Sequence, residues 1–288
     1  MLQDVLQAVV NGLLSGALIA VPAVGFTTIF AILRYPNFAV AGYTTIGAFA
    51  GWMVNTRLGW GAAGAVIAAF VVAGLVGVLC EEIGLRRLYP AGALTVAIAS
   101  IALNLILENI VRFVFGNDLK GFNLPILPDQ VFGGIAVGIQ QLQNLWLALA
   151  VVAVMFGFLM FTRFGRAMRA VAENADLARL KGIDPRRVAA IAVLLGAGLS
   201  GAGGVLLGLD TSIDPLTGFR ILLSVFAAAV LGGLGSIPGA VFGALALGLA
   251  EELALLVIPD TYRGAVGFFA ILLMLTFRPR GLLGESAV

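Results

Sequence analysis

The chain has 288 residues, of which 61% are hydrophobic and 38 are glycine, while only 11% are charged. A soluble domain is usually about 45–50% apolar and about 25% charged, and no soluble fold has interior enough to hide this much apolar surface. A soluble enzyme is therefore excluded in favour of a polytopic membrane protein, and a net charge of +2 is too small to point to nucleic acid.

A helix needs about 20 apolar residues to cross the hydrocarbon core of a bilayer. In chain order the apolar runs predict spans over 6–33, 38–55, 61–80, 93–114, 143–162, 188–209, 219–235, 238–258 and 264–277. The runs 38–55 and 219–235 are short and read as half-spans or re-entrant segments. The predicted fold class is thus all-α: one polytopic transmembrane helical bundle over 1–288, with eight to ten spans and some short or broken helices. Strands are not expected, because the runs are long and lack alternation. The polar stretch 115–142, with Pro125 and Pro128, reads as a connecting loop or a surface helix.

The first 33 residues hold no lysine or arginine, so the basic region of a cleavable signal is missing. On the nine-span reading, twelve cations fall on one side: Arg34, Arg86, Arg87, Arg163, Arg166, Arg169, Arg179, Lys181, Arg186, Arg187, Arg278 and Arg280. Five fall on the other: Arg57, Arg112, Lys120, Arg220 and Arg263. Excess positive charge marks the cytoplasmic side. The expectation is a multi-pass inner-membrane protein with 163–187 and the C-terminus in the cytoplasm, and with the N-terminus and 115–142 outside.

The segment 163–187 is long and charged. Ala167, Ala170, Val171, Leu177, Ala178 and Leu180 recur at three- and four-residue steps with charges between them. Asn174 and Asp176 interrupt a single helix, so two short helices are predicted, ended by Pro185. Such a segment is either a solvated amphipathic loop or a docking surface for a cytosolic partner.

Glycine pairs at GxxxG spacing occur at Gly12/Gly16, Gly47/Gly51, Gly204/Gly208, Gly235/Gly239 and Gly239/Gly243. Close helix packing explains them without a transport role. The run from Leu231 to Gly239 has four glycines and a proline, and predicts a broken helix or tight turn.

Histidine-based catalysis and most zinc or haem sites are excluded. Histidine is absent, and Cys80 is the one cysteine, read as a small buried apolar side chain. Neither Lys120 nor Lys181 follows a glycine, so the phosphate-binding GxxxxGK[ST] loop does not exist. No cofactor is expected, and any ATP must be bound and hydrolysed by another chain.

Ionisable residues within spans are costly, about 2.5–3.5 kcal/mol at a helix centre. Glu108 lies four residues before Arg112, which allows an ion pair. With Ser100 and Asn104 it forms a polar stripe, suited to a water-filled pathway or equally to a hydrogen-bonded helix contact. Glu251 and Glu252 are adjacent and point about 100° apart, so at least one meets a neighbouring helix or an interface. Thr27, Thr28, Asn37, Thr44 and Thr45 add polar groups, although threonine in a helix often bonds back to its own backbone.

Four blocks in order resemble the H-type permease of branched-chain amino acid ABC importers. They are Asn37-Phe-Ala39 with Gly47-Ala48-Phe49; Gly165-Arg-Ala-Met-Arg-Ala170 through Ala172-Glu-Asn-Ala175 to Leu180-Lys-Gly-Ile183; Gly232 to Ala240 with Gly243, Leu247, Gly248 and Glu251; and Arg278-Pro-Arg-Gly-Leu-Leu-Gly284. The resemblance covers nearly the whole chain. It implies a subunit that pairs with a second, related permease, docks two ABC ATPases below and receives substrate from a periplasmic binding protein above. The loop 163–187 then carries the coupling helix, with Gly165, Arg169, Glu173, Asn174 and Gly182 as coupling residues. Asn37, Thr44, Asn104 and Glu108 are the candidates for the translocation pathway. The chain departs from the family where Val40-Ala41 follows Asn37-Phe-Ala39 and no histidine is present, which bears on the substrate: branched-chain amino acids or a similar small polar solute. The rival reading is an ion-coupled secondary transporter or channel using Glu108, Glu251 or Glu252. A membrane enzyme is disfavoured by the missing histidine.

Overall fold

A computed structural model describes residues 2–123, 130–132, 135–278 and 281–283. Among them, eleven α-helices follow in order: α1 Leu2–Leu33, α2 Val40–Leu58, α3 Ala62–Ile83, α4 Ala93–Phe115, α5 Ile139–Phe161, α6 Arg163–Glu173, α7 Ala175–Leu180, α8 Pro185–Asp210, α9 Thr217–Gly232, α10 Ile237–Ala254 and α11 Arg263–Phe277. Short 3-10 turns, Leu85–Ala91 and Asp260–Tyr262, precede α4 and α11.

Each predicted span forms a helix, but six meet both length and hydropathy requirements for crossing: Gln3–Leu33, Ala62–Ile83, Ala93–Phe115, Ile139–Phe161, Pro185–Asp210 and Ile237–Ala254. The helices α9 and α11, with 16 and 15 residues, extend about 24 and 22 Å, against about 30 Å of hydrocarbon. The helix α2 has the length, at 19 residues, but carries Tyr43, Thr44, Thr45, Asn55 and Arg57.

The stretch 115–142 differs from the predicted loop or surface helix. It contains an antiparallel hairpin of β1 Gln130–Phe132 and β2 Ile135–Val137, with Val131 opposite Ala136. Two short apolar runs separated by Gly-Gly are a hairpin signal, masked by the polar average of the segment. Pro125 and Pro128 lie outside the described residues.

The bundle is layered around α1 and α8. The apolar windows of these two helices are 78% and 72% buried within the chain, against 33% for α3 and 22% for α5. The outer helices turn rows such as Ile67, Val71, Leu75 and Leu79 of α3 to the outside, where lipid is the fitting solvent. Small residues let the inner helices meet by backbone. A Cβ on Gly12 would lie 2.8 Å from Leu249 Cα of α10, and one on Gly47 would lie 2.2 Å from Gly201 Cα of α8. The GxxxG glycines other than Gly235, where a Cβ would meet nothing within 4 Å, are therefore packing residues. The run 231–239 is a tight turn: α9 ends, Gly233 and Gly235 take φ of 105° and 94°, and α10 starts at Ile237 under a Ser236 cap.

Candidate functional site

Two ends of the bundle are defined by contacts. At the arginine-rich end the C-termini of α1 and α5, the second half of α6 and the start of α10 line one cavity of about 420 Å³. At the opposite end the starts of α1, α5 and α11 and the ends of α8 and α10 line another, of about 180 Å³.

The segment 163–187 is two helices, as its sequence predicts. Thr162 starts α6 by accepting a hydrogen bond from Gly165 N at 3.0 Å. Gly165 is buried where α6 folds back on α5: a Cβ there would lie 2.1 Å from the Leu159 carbonyl oxygen. Met168 and Val171 continue the buried face. Asn174 breaks the helix in extended conformation and caps α7, accepting from Asp176 N and Leu177 N at 3.1 and 2.9 Å. Gly182, at φ 82°, ends α7, and Asp184 caps α8 with Pro185 in its first turn. Pro185 thus starts a helix, where its missing N–H costs nothing.

The coupling candidates divide by what they touch. Arg169 donates to the Leu159 carbonyl, so its guanidinium caps the C-terminus of α5. Glu173 is exposed at the end of α6 and lines the larger cavity with Arg34, Arg169, Ser236 and Leu283. The same end joins two further sequence blocks, because Leu282 N and Leu283 N donate to Leu231 O and Gly232 O at 2.8 and 2.9 Å. Pro279, Arg280 and Gly284 of the terminal block lie outside the described residues. Beyond α6, Leu177 and Leu180 of α7 are 55% and 84% exposed, beside exposed Arg179 and Lys181.

The pathway candidates lie on different seams. Asn104 faces α2 at Gly42, where a Cβ would sit 3.1 Å from Asn104 Oδ1. Ser100 Oγ, one turn earlier, accepts from Phe38 N at 2.9 Å. Glu108 pairs with Arg112 at 2.8 Å. Asn37 is buried, with Oδ1 accepting from Ala39 N at 3.0 Å. Thr44 faces α8 at Gly204 and bonds back to Val40 O at 2.9 Å, so it does not join Asn104 and Glu108. At the opposite end, Glu251 accepts from Ser224 Oγ at 2.9 Å and meets Arg263 Nε at 3.3 Å, and Glu252 pairs with the same Arg263. Neither carboxylate stands alone, which weakens the case for ion coupling through them.

The family profile for the branched-chain amino acid transport system permease component matches residues 8–276. The chain belongs to this permease family. It is 35% identical to the high-affinity branched-chain amino acid transport system permease protein BraD of Pseudomonas aeruginosa, covering 98% of this chain and 97% of that protein. It is 34% identical to LivH, the permease protein of the same description from Escherichia coli K12, over 98% and 96%. It is 30% identical to a probable branched-chain amino acid transport permease LivH of Methanocaldococcus jannaschii, over 82% and 76%. Among solved structures, a metal-chelate type ABC transporter in an inward-facing conformation shares the fold, with a TM-score of 0.50 at 14% identity over 92% of this chain and 85% of that one.

The permease also holds a buried acid that its sequence did not announce. Glu81 is 3% exposed at the end of α3 and accepts from the Tyr35 hydroxyl at 3.0 Å and from the Tyr89 hydroxyl. Asn37 Nδ2 donates to Tyr35 OH at 3.4 Å, tying a pathway candidate to this cluster. Burial, reinforced by the neighbouring Glu81, raises both phenols far above their ordinary range, so they remain donors at any physiological pH. The overlooked signal was an acid at the end of an apolar run, with tyrosines just outside two neighbouring runs.

Proposed function

We propose that the permease is the membrane subunit of an ATP-driven importer in a bacterial inner membrane, moving branched-chain amino acids. It pairs with a second, related permease as a heterodimer, takes two ABC ATPases at its arginine-rich end, and receives solute from a periplasmic binding protein at the other. The N-terminus is periplasmic and the C-terminus cytoplasmic, following the twelve-to-five division of cations. All nine apolar helices cross or line the membrane, α2, α9 and α11 being the short ones. ATP is bound by the partners and no cofactor by this chain.

The observation that carries this reading is the α6–α7 unit. It is a helix pair on the arginine-rich end with one face buried against the bundle, and with Leu177, Leu180, Arg179 and Lys181 turned outward. An exposed apolar pair with two cations beside it suits a protein contact better than a solvated loop. In this reading Gly165 and Arg169 seat α6 on α5, Asn174 and Gly182 set the angles of α7, and Glu173 offers charge to the ATPase. Gentle detergent purification from the native membrane is expected to recover the second permease and two ATPases, with hydrolysis stimulated by the binding protein. Recovery of the chain alone, where other membrane complexes survive, overturns the proposal. Glu173→Arg is expected to leave assembly intact and to uncouple hydrolysis from uptake of labelled leucine; unchanged uptake removes Glu173 from the contact.

The pathway is assigned to Asn37, Thr44, Asn104 and Glu108. Glu108→Gln removes the charge that holds Arg112 while keeping the size of the side chain. Leucine uptake is expected to fall several-fold with expression and assembly unchanged. Wild-type uptake would leave Glu108 as a partner for Arg112 and nothing more.

A further inference from the structure

Among the described residues, Arg34 is the one non-glycine residue with positive φ, at 59°. It ends α1, donating its backbone N–H to Phe30 O at 2.9 Å. Glycine is the usual residue where a helix stops in the left-handed region, and other side chains persist there only when surrounding structure holds them. What this side chain does is visible. Its guanidinium crosses to α6 and donates to the carbonyl of Ala172, in the last turn of that helix.

The residues that follow are fastened to two other helices and braced internally where α2 begins. Tyr35 donates to Glu81 of α3 at 3.0 Å, Phe38 N donates to Ser100 of α4 at 2.9 Å, and Asn37 Oδ1 accepts from Ala39 N at 3.0 Å as α2 begins. Residues 34–39 thus form a short connector into α2, held by α6 on one side and by α3 and α4 on the other. Beside it lies the cavity of about 420 Å³, bounded by Arg34, Met168, Arg169, Glu173, Ser236 and Leu283. On the side of α6 that faces this space, Arg169 on the Leu159 carbonyl ties the helix to α5, and Arg34 on the Ala172 carbonyl ties it to the end of α1.

We infer that Arg34 is a positioning residue for transport: it carries displacements of the α6–α7 unit into the Tyr35–Ala39 connector and so to the start of α2. The inference rests on the assignment of α6–α7 as the ATPase contact. It accounts for an arginine at a position where backbone geometry favours glycine. The coupling passes from the Arg34–Ala172 hydrogen bond through the backbone at 34–35 to the hydrogen bonds of Tyr35, Asn37 and Phe38.

The test uses the complete complex with its ATPases and binding protein in liposomes, reading ATP hydrolysis and labelled leucine uptake together. Arg34→Gly keeps the left-handed backbone, which glycine adopts freely, and deletes the guanidinium. Stimulated hydrolysis is expected to persist while leucine moved per ATP falls about tenfold, with Arg34→Lys, which keeps a donor, recovering to within about threefold of wild type. An unchanged ratio in Arg34→Gly overturns the inference, and so does a lysine variant as impaired as the glycine one. A second measurement does not depend on that variant folding well. In a Cys80→Ser background, a short thiol cross-linker joining Arg34→Cys to Ala172→Cys is expected to restore the ratio that the uncross-linked pair has lost, because the link is constant through the cycle. A cross-link that blocks uptake shows that the two points separate, and overturns the inference. If no ATPases accompany the chain at all, the functional assignment fails instead, and the two failures are distinct.

Discussion

Gly47→Leu is expected to leave no assembled permease in the membrane. At this position α2 crosses α8 backbone to backbone. A Cβ would lie 2.2 Å from Gly201 Cα and 2.7 Å from both its carbonyl carbon and oxygen. Nothing at that contact is the far end of a flexible side chain, so a helix must move. The helix that would move is α8, which is 72% buried and is also gripped at Gly74 and Gly77 of α3, where a Cβ would come 2.8 Å from Leu194 O and 2.3 Å from Ala197 Cβ. Overpacking a core by a methylene or two costs about 1–3 kcal/mol. Leucine adds four carbons against backbone, which is comparable to the whole stability of a domain, about 5–15 kcal/mol. Gly157→Leu on α5 is the control, since a Cβ there meets nothing within 4 Å. Size-exclusion chromatography of detergent extracts, before and after heating, should show Gly157→Leu as a wild-type peak and Gly47→Leu as aggregate or nothing. A normal Gly47→Leu peak would mean that α2 and α8 do not cross here.

Glu81→Ala is the second large effect. The carboxylate is the acceptor for two hydroxyls, those of Tyr35 and Tyr89. Tyr35 is 2% exposed and has no water to turn to, while Tyr89 is 38% exposed and can be rehydrated. A buried donor left without an acceptor costs about 1–3 kcal/mol, so most of the loss falls on Tyr35. The backbone consequence is larger than the energy suggests, because Tyr35 stands between Arg34 and Asn37 in the connector that opens α2. Glu81→Gln keeps one acceptor oxygen and is expected to recover most of the stability. Thermal unfolding of the purified complex should place alanine well below glutamine and wild type. An alanine variant as stable as wild type would show that Glu81 is not what holds the connector.

Local chemistry was legible where one stretch of chain settles its own conformation. The break between α6 and α7 could be read from Asn174, because a side-chain oxygen that caps the next helix acts within three residues. The turn at 233–236 could be read from its glycines for the same reason. The hairpin was missed because its two three-residue runs are short against a polar background. The site was less legible. Arg169 looks like a free surface charge in the sequence and is occupied with the carbonyl of Leu159, ten residues back. Thr44 and Asn104 are both candidates for the pathway in the sequence, and they face different helices.

Composition and the lengths of the apolar runs decided that this chain is a helical membrane protein, and the order of its motifs decided its family. Those properties depend on the chain's solvent and on local spacing, which a sequence states directly. Which helices form the interior was decided only by the tertiary structure. The apolar windows of α1 and α5 have nearly equal hydropathy, 2.1 and 2.3, yet one is 78% buried in protein and the other 22%. Lipid tails and a protein interior are equally apolar, so hydrophobicity cannot tell a helix which of the two it will face. Close backbone approaches such as Gly47 on Gly201, and long-range partners such as Arg34 on Ala172, make that choice.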